Sequence, residues 1–255
     1  MEFVISSSTD VGTVKNVNQD SLFVRNIKTE QGNMAIAVIC DGMGGYSDGE
    51  IASRTLLNAF LLWEANTLPA LLCGSLDDYI VREQWSNIIF EQNRVIRSYG
   101  LERGIQLGTT ITALFVTQTR WYCINVGDTR AYELAEDAKR LTRDQTYVEN
   151  EISMGRMTVE QAEQSNLRNA LLQCVGIDEI VKPEVYFGDV KKNSLFLLCS
   201  DGFRHLVSEN EMLLTFRSIQ SKTSDELMRC EKSLIELNKY RGEKDNISVA
   251  TILVS

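Results

Sequence analysis

Two short runs carry no polar side chain at all, Ala35–Cys40 (A-I-A-V-I-C) and Leu195–Cys199 (L-F-L-L-C). Each ends in a cysteine and is followed within a residue or two by Asp-Gly, at Asp41–Gly42 and Asp201–Gly202. Apolar runs of this length, bounded by turn residues, read as strands, and Ala35–Cys40 reads as one buried on both faces. Such a strand must be covered by a layer on either side, which narrows the choice of architecture. An aspartate at the end of a buried strand, beside glycine, is a common way to build a metal or phosphate site. The strand fixes the carboxylate, and glycine lets backbone carbonyls and amides approach closely. Glycine after a strand is also an ordinary turn signal, so one occurrence decides little. Around the first run, Met34–Ser53 breaks at Asp41 into a glycine-rich loop and recovers as a helix start near Glu50.

The remaining periodicity supplies the layers. Strands are predicted at Phe3–Ser6 and Ser21–Val24, separated by the polar loop Thr9–Asp20. Helices are predicted over Glu50–Ala65 and Asp77–Ser98, the second with Ile80, Ile88, Val95 and Ile96 inward. Leu68–Ser75, with Pro69 and Gly74, separates them. Thr109–Thr117, Trp121–Val126 and Arg130–Leu134 form a strand meander, with Asp128 in its second turn. Residues 141–176 show only short, broken helical patterns (144–154, 159–164 and 167–174) and read as a surface excursion. Strands then follow at Val185–Val190 and Leu195–Cys199. Helices follow at Asn210–Ser218 and Asp225–Lys239, with Asn210 and Ser224 as caps, and an alternating strand at Ile247–Val254. This order points to one domain, residues 1–255, with a β core and a helix pair on each side.

Lys plus Arg number 26 against 35 acidic residues, a net charge of −9. That argues against non-specific binding to nucleic acid or anionic lipid, and an anionic substrate would need local cations. No stretch is long and apolar enough to span a bilayer, and M-E-F-V-I-S-S-S is no secretory leader, so the expectation is a soluble, non-exported chain. The six cysteines form no C-x-x-C pair. They read as free thiols in a reducing cytoplasm.

Five aspartates stand at strand ends or strand turns: Asp20, Asp41, Asp128, Asp201 and Asp245. Singly, each reads as a turn residue or cap. Together, they would repel one another and lose hydration for nothing unless a cation sat among them. Hard divalent cations such as Mg²⁺ and Mn²⁺ prefer such oxygen ligands, whereas a single histidine and no Cys/His grouping argue against zinc. Two cations sharing a carboxylate would lower the pKa of a water, aim it at phosphorus and neutralise phosphate charge. Phosphomonoester hydrolysis is the reaction that most needs this help.

In order along the chain stand T-D-V-G-T-V-K-N-V-N-Q-D (9–20), V-I-C-D-G-M-G-G (38–45), G-T-T (108–110), N-V-G-D-T-R-A-Y (125–132), L-T-R-D-Q (141–145), L-L-C-S-D-G (197–202) and D-N-I-S-V (245–249). This set resembles the metal-dependent protein serine/threonine phosphatases of the PPM (PP2C) family, in their compact bacterial form. The resemblance implies an α/β sandwich: two antiparallel β-sheets flanked on each side by a pair of antiparallel helices. It implies that Asp41 bridges two Mn²⁺ or Mg²⁺ ions with the Gly42 carbonyl on the first. It implies that Asp201 and Asp245 hold the second, and that Asp20 orients metal-bound water. Asp128 with Asp201 would hold a third, weaker metal, Asn246 would support Asp245, and residues 141–176 resemble a flap over the site.

There are departures. The family's phosphate-binding arginine is Lys15, which keeps the charge but not the bidentate fork. Its glutamate is Gln19 and the L-T-x-D-H histidine is Gln145. His205 stands where the family commonly has aspartate. It could donate a proton, but nothing in its spacing aims it at phosphorus, which favours a helix-start residue packed or solvated near the site. The expected activity is hydrolysis of phosphoserine and phosphothreonine in proteins, opposing a Ser/Thr kinase, by a cytoplasmic monomer. The alternatives are a weakly active or inactive relative that binds phosphoproteins as a regulatory module, and a phosphatase for a small metabolite.

Overall fold

The computed structural model describes residues 1–44, 48–74, 76–219, 221 and 223–255. The chain opens with strands β1 (Phe3–Asp10), β2 (Asp20–Thr29) and β3 (Gly32–Gly44). Helix α1 (Asp48–Leu62), a π turn at Trp63–Thr67, α2 (Leu68–Leu72) and α3 (Asp78–Arg103) follow. Next come β4 (Leu107–Thr109), β5 (Ile111–Val116), β6 (Arg120–Val126), β7 (Arg130–Leu134) and β8 (Ala138–Arg140). The excursion holds α4 (Tyr147–Ser153) and α5 (Val159–Glu163) before β9 (Glu184–Asp189) and β10 (Leu195–Cys199). Then α6 (Asp201–Arg204), α7 (Glu209–Arg217), α8 (Ser224–Tyr240) and β11 (Ile247–Val254) close the chain.

The strands form two antiparallel sheets, ordered β1-β11-β10-β7-β8 and β2-β3-β5-β6-β9, with β4 added to β3. Side-chain alternation explains the layering. On β3, Met34, Ile36, Val38 and Cys40 face α1 and α3, while Ala35, Ala37 and Ile39 meet the other sheet. On β10, Leu195, Leu197 and Cys199 face α6, α7 and α8, while Phe196 and Leu198 fill the space between the sheets. Both apolar runs are therefore central strands of an α/β/β/α sandwich, as expected for Ala35–Cys40. All six cysteines are free.

Several local expectations shift. The segment Asp41–Gly44 is no loop: β3 runs on through it, because Gly42, Met43 and Gly44 find pairing partners in Thr109, Gly108 and Leu107 of β4. The next glycine of that stretch, Gly45, lies outside the described residues, as does residue 75. Of the separator 68–75, residues 68–72 are helical, since Pro69 sits in a first turn where no amide donor is needed. The inward face of α3 is Val81, Trp85, Ile89, Asn93 and Ile96, and Val95 is half exposed. Trp85 sets that phase: its ring lies 5.4 Å from those of both Phe60 and Trp63. Residues 167–174 form a turn and a bridge rather than a helix, and Ser208 and Thr223, not Asn210 and Ser224, cap α7 and α8.

One buried carboxylate lies far from the aspartates. Glu231 of α8 is fully buried and accepts hydrogen bonds from Ser6 and Ser8 (2.8 Å each) and Thr251 (2.7 Å). Burial pushes its pKa up, and the three hydroxyls only partly counter this. With the folded value raised, its contribution to stability is complete below the unfolded value of about 4.3 and is lost as pH rises through the folded one. Glu231→Gln removes the charge and keeps the shape. We expect its Tm to match wild type near pH 4.5 and exceed it at pH 8. A variant less stable at both pH values would show that the hydroxyls stabilise the carboxylate fully.

Candidate active site

The five aspartates converge on one edge of the sandwich, and each is placed by a different element. Asp20 opens β2 directly opposite Asp41 of β3 in the antiparallel register. Asp201 is the first residue of α6, immediately after β10, and Asp245 precedes β11 in the other sheet. Asp128 sits in the turn from β6 to β7, where the chain crosses between sheets. Asp41, Asp128, Asp201 and Asp245 line one cavity of about 560 Å³, with Lys15, Gly42 and Thr110. Asp20 is not among its lining residues.

The backbone around Asp41 is held tightly. Its N–H donates to Thr110 Oγ1 (3.0 Å), and its carbonyl accepts from Thr110 N (2.8 Å) and Thr109 Oγ1 (3.0 Å). Next to it, Gly42 has no room for a side chain: a Cβ there would lie 2.2 Å from the Gly49 carbonyl oxygen and 2.6 Å from that of Gln19. Asn246 ties the 9–20 loop to this edge. Its amide donates to the carbonyls of Val11 (2.9 Å) and Val17 (3.2 Å), its Oδ1 accepts from Gln19 N (2.9 Å), and its own N–H donates to Asp245 Oδ1 (2.8 Å).

Crowding shows in the titration of the carboxylates. Burial first, then the charges of Asp20, Asp201, Asp128 and Asp245, push Asp41 far above the ordinary carboxylate range. Burial pushes Asp20 up to about 7, with Asp201 adding to it against the nearby Ser248 and Ser200 hydroxyls. Those hydroxyls complete no bond to Asp20. Ser248 Oγ lies 2.7 Å from Thr9 Oγ1, Ser200 Oγ accepts from Ser248 N (3.0 Å), and both carboxylate oxygens of Asp20 stay buried without a partner. Asp201 Oδ1 is in the same state. Burial and Asp201 raise Asp128 to about 7 even though Arg204 opposes them.

Orphaned carboxylate oxygens are unusual in a folded protein, and hard divalent cations fit them. Among the described residues no three carboxylate, imidazole or thiol groups already close around one point. The donor set is all oxygen and suits Mg²⁺ or Mn²⁺.

The cationic side chains near the cluster are engaged. Lys15 Nζ lies 2.9 Å from Asp245 Oδ1. Burial pulls its pKa down, but Asp245, Asp41 and Asp201 more than offset that, so it is raised. His205 stands between Asp201 Oδ2 (Nε2, 3.4 Å) and Glu243 Oε2 (Nδ1, 3.3 Å). Burial lowers its pKa, yet Glu243 and Asp201 raise it overall. His205 is thus packed near the site, but it caps the end of α6 rather than starting a helix. Gln145 is structural: its Oε1 accepts from Gly127 N (2.8 Å) and its own N–H donates to the Gly127 carbonyl (2.9 Å), clamping the turn that carries Asp128.

Three supporting residues escaped sequence reasoning. Glu243 Oε1 accepts from the backbone N–H groups of Lys244 (2.7 Å) and Asp245 (3.0 Å), shaping the Asp245 loop. Asn93, buried on α3, accepts from Gly176 N (2.6 Å) and donates to the Asp178 carbonyl (2.9 Å), anchoring the far end of the excursion beside the cavity. Arg204 reaches Asp128 from α6. Only Arg204 carried a signal, a cation three residues after Asp201 in S-D-G-F-R-H.

A family model described as protein phosphatase 2C matches residues 12–236. The serine/threonine phosphatase stp of Listeria monocytogenes serovar 1/2a is 30% identical over 249 residues, covering 96% of this chain and 93% of the relative. Among solved structures, the serine/threonine phosphatase of S. agalactiae has a TM-score of 0.86 at 26% identity, covering all of both chains. The catalytic domain of the serine/threonine protein phosphatase PstP in complex with two manganese ions has a TM-score of 0.78 at 24% identity, also covering all of both chains.

The titration has a consequence for stability. Without a bound cation, the folded values near 7 for Asp20 and Asp128 exceed the unfolded value of about 3.9. Their contribution to stability is therefore complete below the unfolded value and is lost as pH rises through about 7. In EDTA-treated protein, we expect Tm to fall by about 5 °C or more between pH 5 and pH 8. Asp20→Asn should flatten that slope. A Tm that holds or rises over this range would show that the carboxylates are not crowded as described.

Proposed function

The chain belongs to the protein phosphatase 2C family, and from that we infer that it is a protein serine/threonine phosphatase whose aspartate cluster holds divalent cations. The observation that carries the site assignment is the set of buried carboxylate oxygens on Asp20 and Asp201 that no protein donor satisfies. Asp41 with the Gly42 carbonyl would hold one cation, Asp201 and Asp245 the other, with Asp41 shared between them. Mn²⁺ or Mg²⁺ bound there supplies Lewis acidity and activates a water for attack on phosphorus. The two manganese ions of the PstP catalytic domain support this count. Manganese or magnesium as the native metal, a cognate Ser/Thr kinase, a monomeric state and a cytoplasmic setting complete the reading. Among the described residues, no helix is long and apolar enough to cross a membrane.

The chain's own groups divide the remaining work. Asp20 would orient a cation-bound water by hydrogen bond. Lys15 is at the cavity rim, paired with Asp245. Lys15 would meet the substrate phosphate as a point charge rather than a fork once Asp245 is engaged by a cation. Asn246 and Glu243 hold the loops that carry these groups, and Gln145 holds the Asp128 turn.

The test is phosphate release from a phosphothreonine peptide with and without Mn²⁺. Asp41→Asn and Asp201→Asn should each fold and lose more than the roughly 10- to 100-fold that loss of an outer metal partner costs. Metal-dependent turnover retained in both variants would sink the site assignment. For Lys15, the expected signature is in KM: Lys15→Arg lowers it by restoring the fork, and Lys15→Ala raises it, with kcat moving less. An unchanged KM in both would remove Lys15 from phosphate recognition.

A further inference from the structure

Arg204 is the last residue of α6, with only 11% of its side chain exposed. Its Nη2 donates to the Asp128 carbonyl (3.0 Å) and to Asp128 Oδ2 (3.2 Å), and stands 3.4 Å from Asp144 Oδ2. Asp144 is gripped from its other side by the fork of Arg130, whose Nε and Nη2 donate at 2.8 and 2.7 Å. Arg130 in turn donates to the Tyr132 hydroxyl (2.8 Å). The result is a buried chain of alternating charge, Asp128–Arg204–Asp144–Arg130, abutting the aspartate cluster through Asp128 and through Asp201 on the same helix.

Asp128 and Asp201 are the pair that the resemblance assigns to a third cation. In this chain Asp128 is already bonded to a cation that cannot leave. A guanidinium stays charged at all working pH values and spreads its charge over a planar fork. A divalent ion taken up by the Asp128 carboxylate would stand a few ångströms from that guanidinium, and like charges so close in a poorly solvated pocket repel strongly. Expelling the guanidinium instead would break its bonds to Asp128 and leave this buried arginine only Asp144, at 3.4 Å and already held by Arg130. The donor set that remains does not fit a third metal.

We propose that Arg204 is the built-in replacement for a third divalent cation, so that this phosphatase loads two cations per chain and no more. The inference rests on the two-cation reading above and refines it. Arg204 is a positioning residue: it holds the Asp128 carboxylate and neutralises this side of the cluster without offering a place for an exchangeable water.

The test reads metal content rather than turnover. Protein dialysed to equilibrium against excess Mn²⁺ is analysed for manganese per chain, and the titration is repeated by calorimetry. Wild type should take up two Mn²⁺. Arg204→Ala should take up three, the additional one binding more weakly, and Arg204→Ala combined with Asp128→Asn should return to two. Arg204→Lys, which keeps the charge, should stay at two. If Arg204→Ala does not fold, Arg204→Gln, which retains a donor for the Asp128 carbonyl without the charge, carries the same expectation of three. Wild type taking up three, with one lost in Asp128→Asn, overturns the proposal and leaves the phosphatase assignment standing. Two in wild type and still two in the neutral Arg204 variants also overturns it. No manganese in wild type overturns both this proposal and the metal centre on which it rests.

Discussion

Carboxylates side by side in a partly dry cleft repel one another, and the fold must supply the free energy to hold them there. The sandwich does so by anchoring each carboxylate to a different rigid element. Asp20 and Asp41 face each other across one β ladder, whereas Asp201 and Asp245 flank neighbouring strands of the other sheet. Asp128 rides the turn that passes between the sheets. No one of these elements can relax the repulsion by moving alone, because each is packed into a layer filled by large apolar side chains. The crowding that costs stability is the same property that makes the cleft attract cations.

The protein meets part of that cost with its own cations, in three ways. Lys15 is long, half exposed and able to swing away. His205 is wedged between Asp201 and Glu243. Arg204 is buried and tied to Asp128 by both its backbone and its side chain. Reach and burial therefore rank these groups from exchangeable to permanent. A side chain that must yield to a ligand is at the rim, and one that must stay is under the floor.

Much of this was legible in the order of residues. Ala35–Cys40 and Leu195–Cys199 read as strands, the first as one buried on both faces, and the five aspartates beside strand ends pointed to a shared site before any contact was known. What could not be read was tertiary. The continuation of β3 through Gly44 depends on β4, whose three residues carry little strand signal of their own. The inward face of α3 is set by Trp85 seated between two other rings, a partner-dependent choice that periodicity left one residue out of phase. Asn93 and Glu243 looked like ordinary polar residues of a helix and a turn. Their importance comes from backbone groups that the fold brings to them from 83 residues away and from the next two residues of the chain. Hydrogen bonds between a side chain and a distant backbone leave no pattern in composition.

The pairing of β11 bears on how the protein is made. This strand lies between β1 and β10, with Phe3 against Val254 and Cys199 against Val249, so it joins the first strand of the chain to the rest of its sheet. Asn246, just before it, fastens the 9–20 loop. During synthesis, neither the place of β1 nor the Lys15 side of the cleft exists until Ile247–Val254 has left the ribosome. Contacts of such long sequence separation form late and slowly. The nascent chain is therefore silent as an enzyme until β11 is in place, and loss of this strand removes activity together with the fold rather than leaving a partly working fragment.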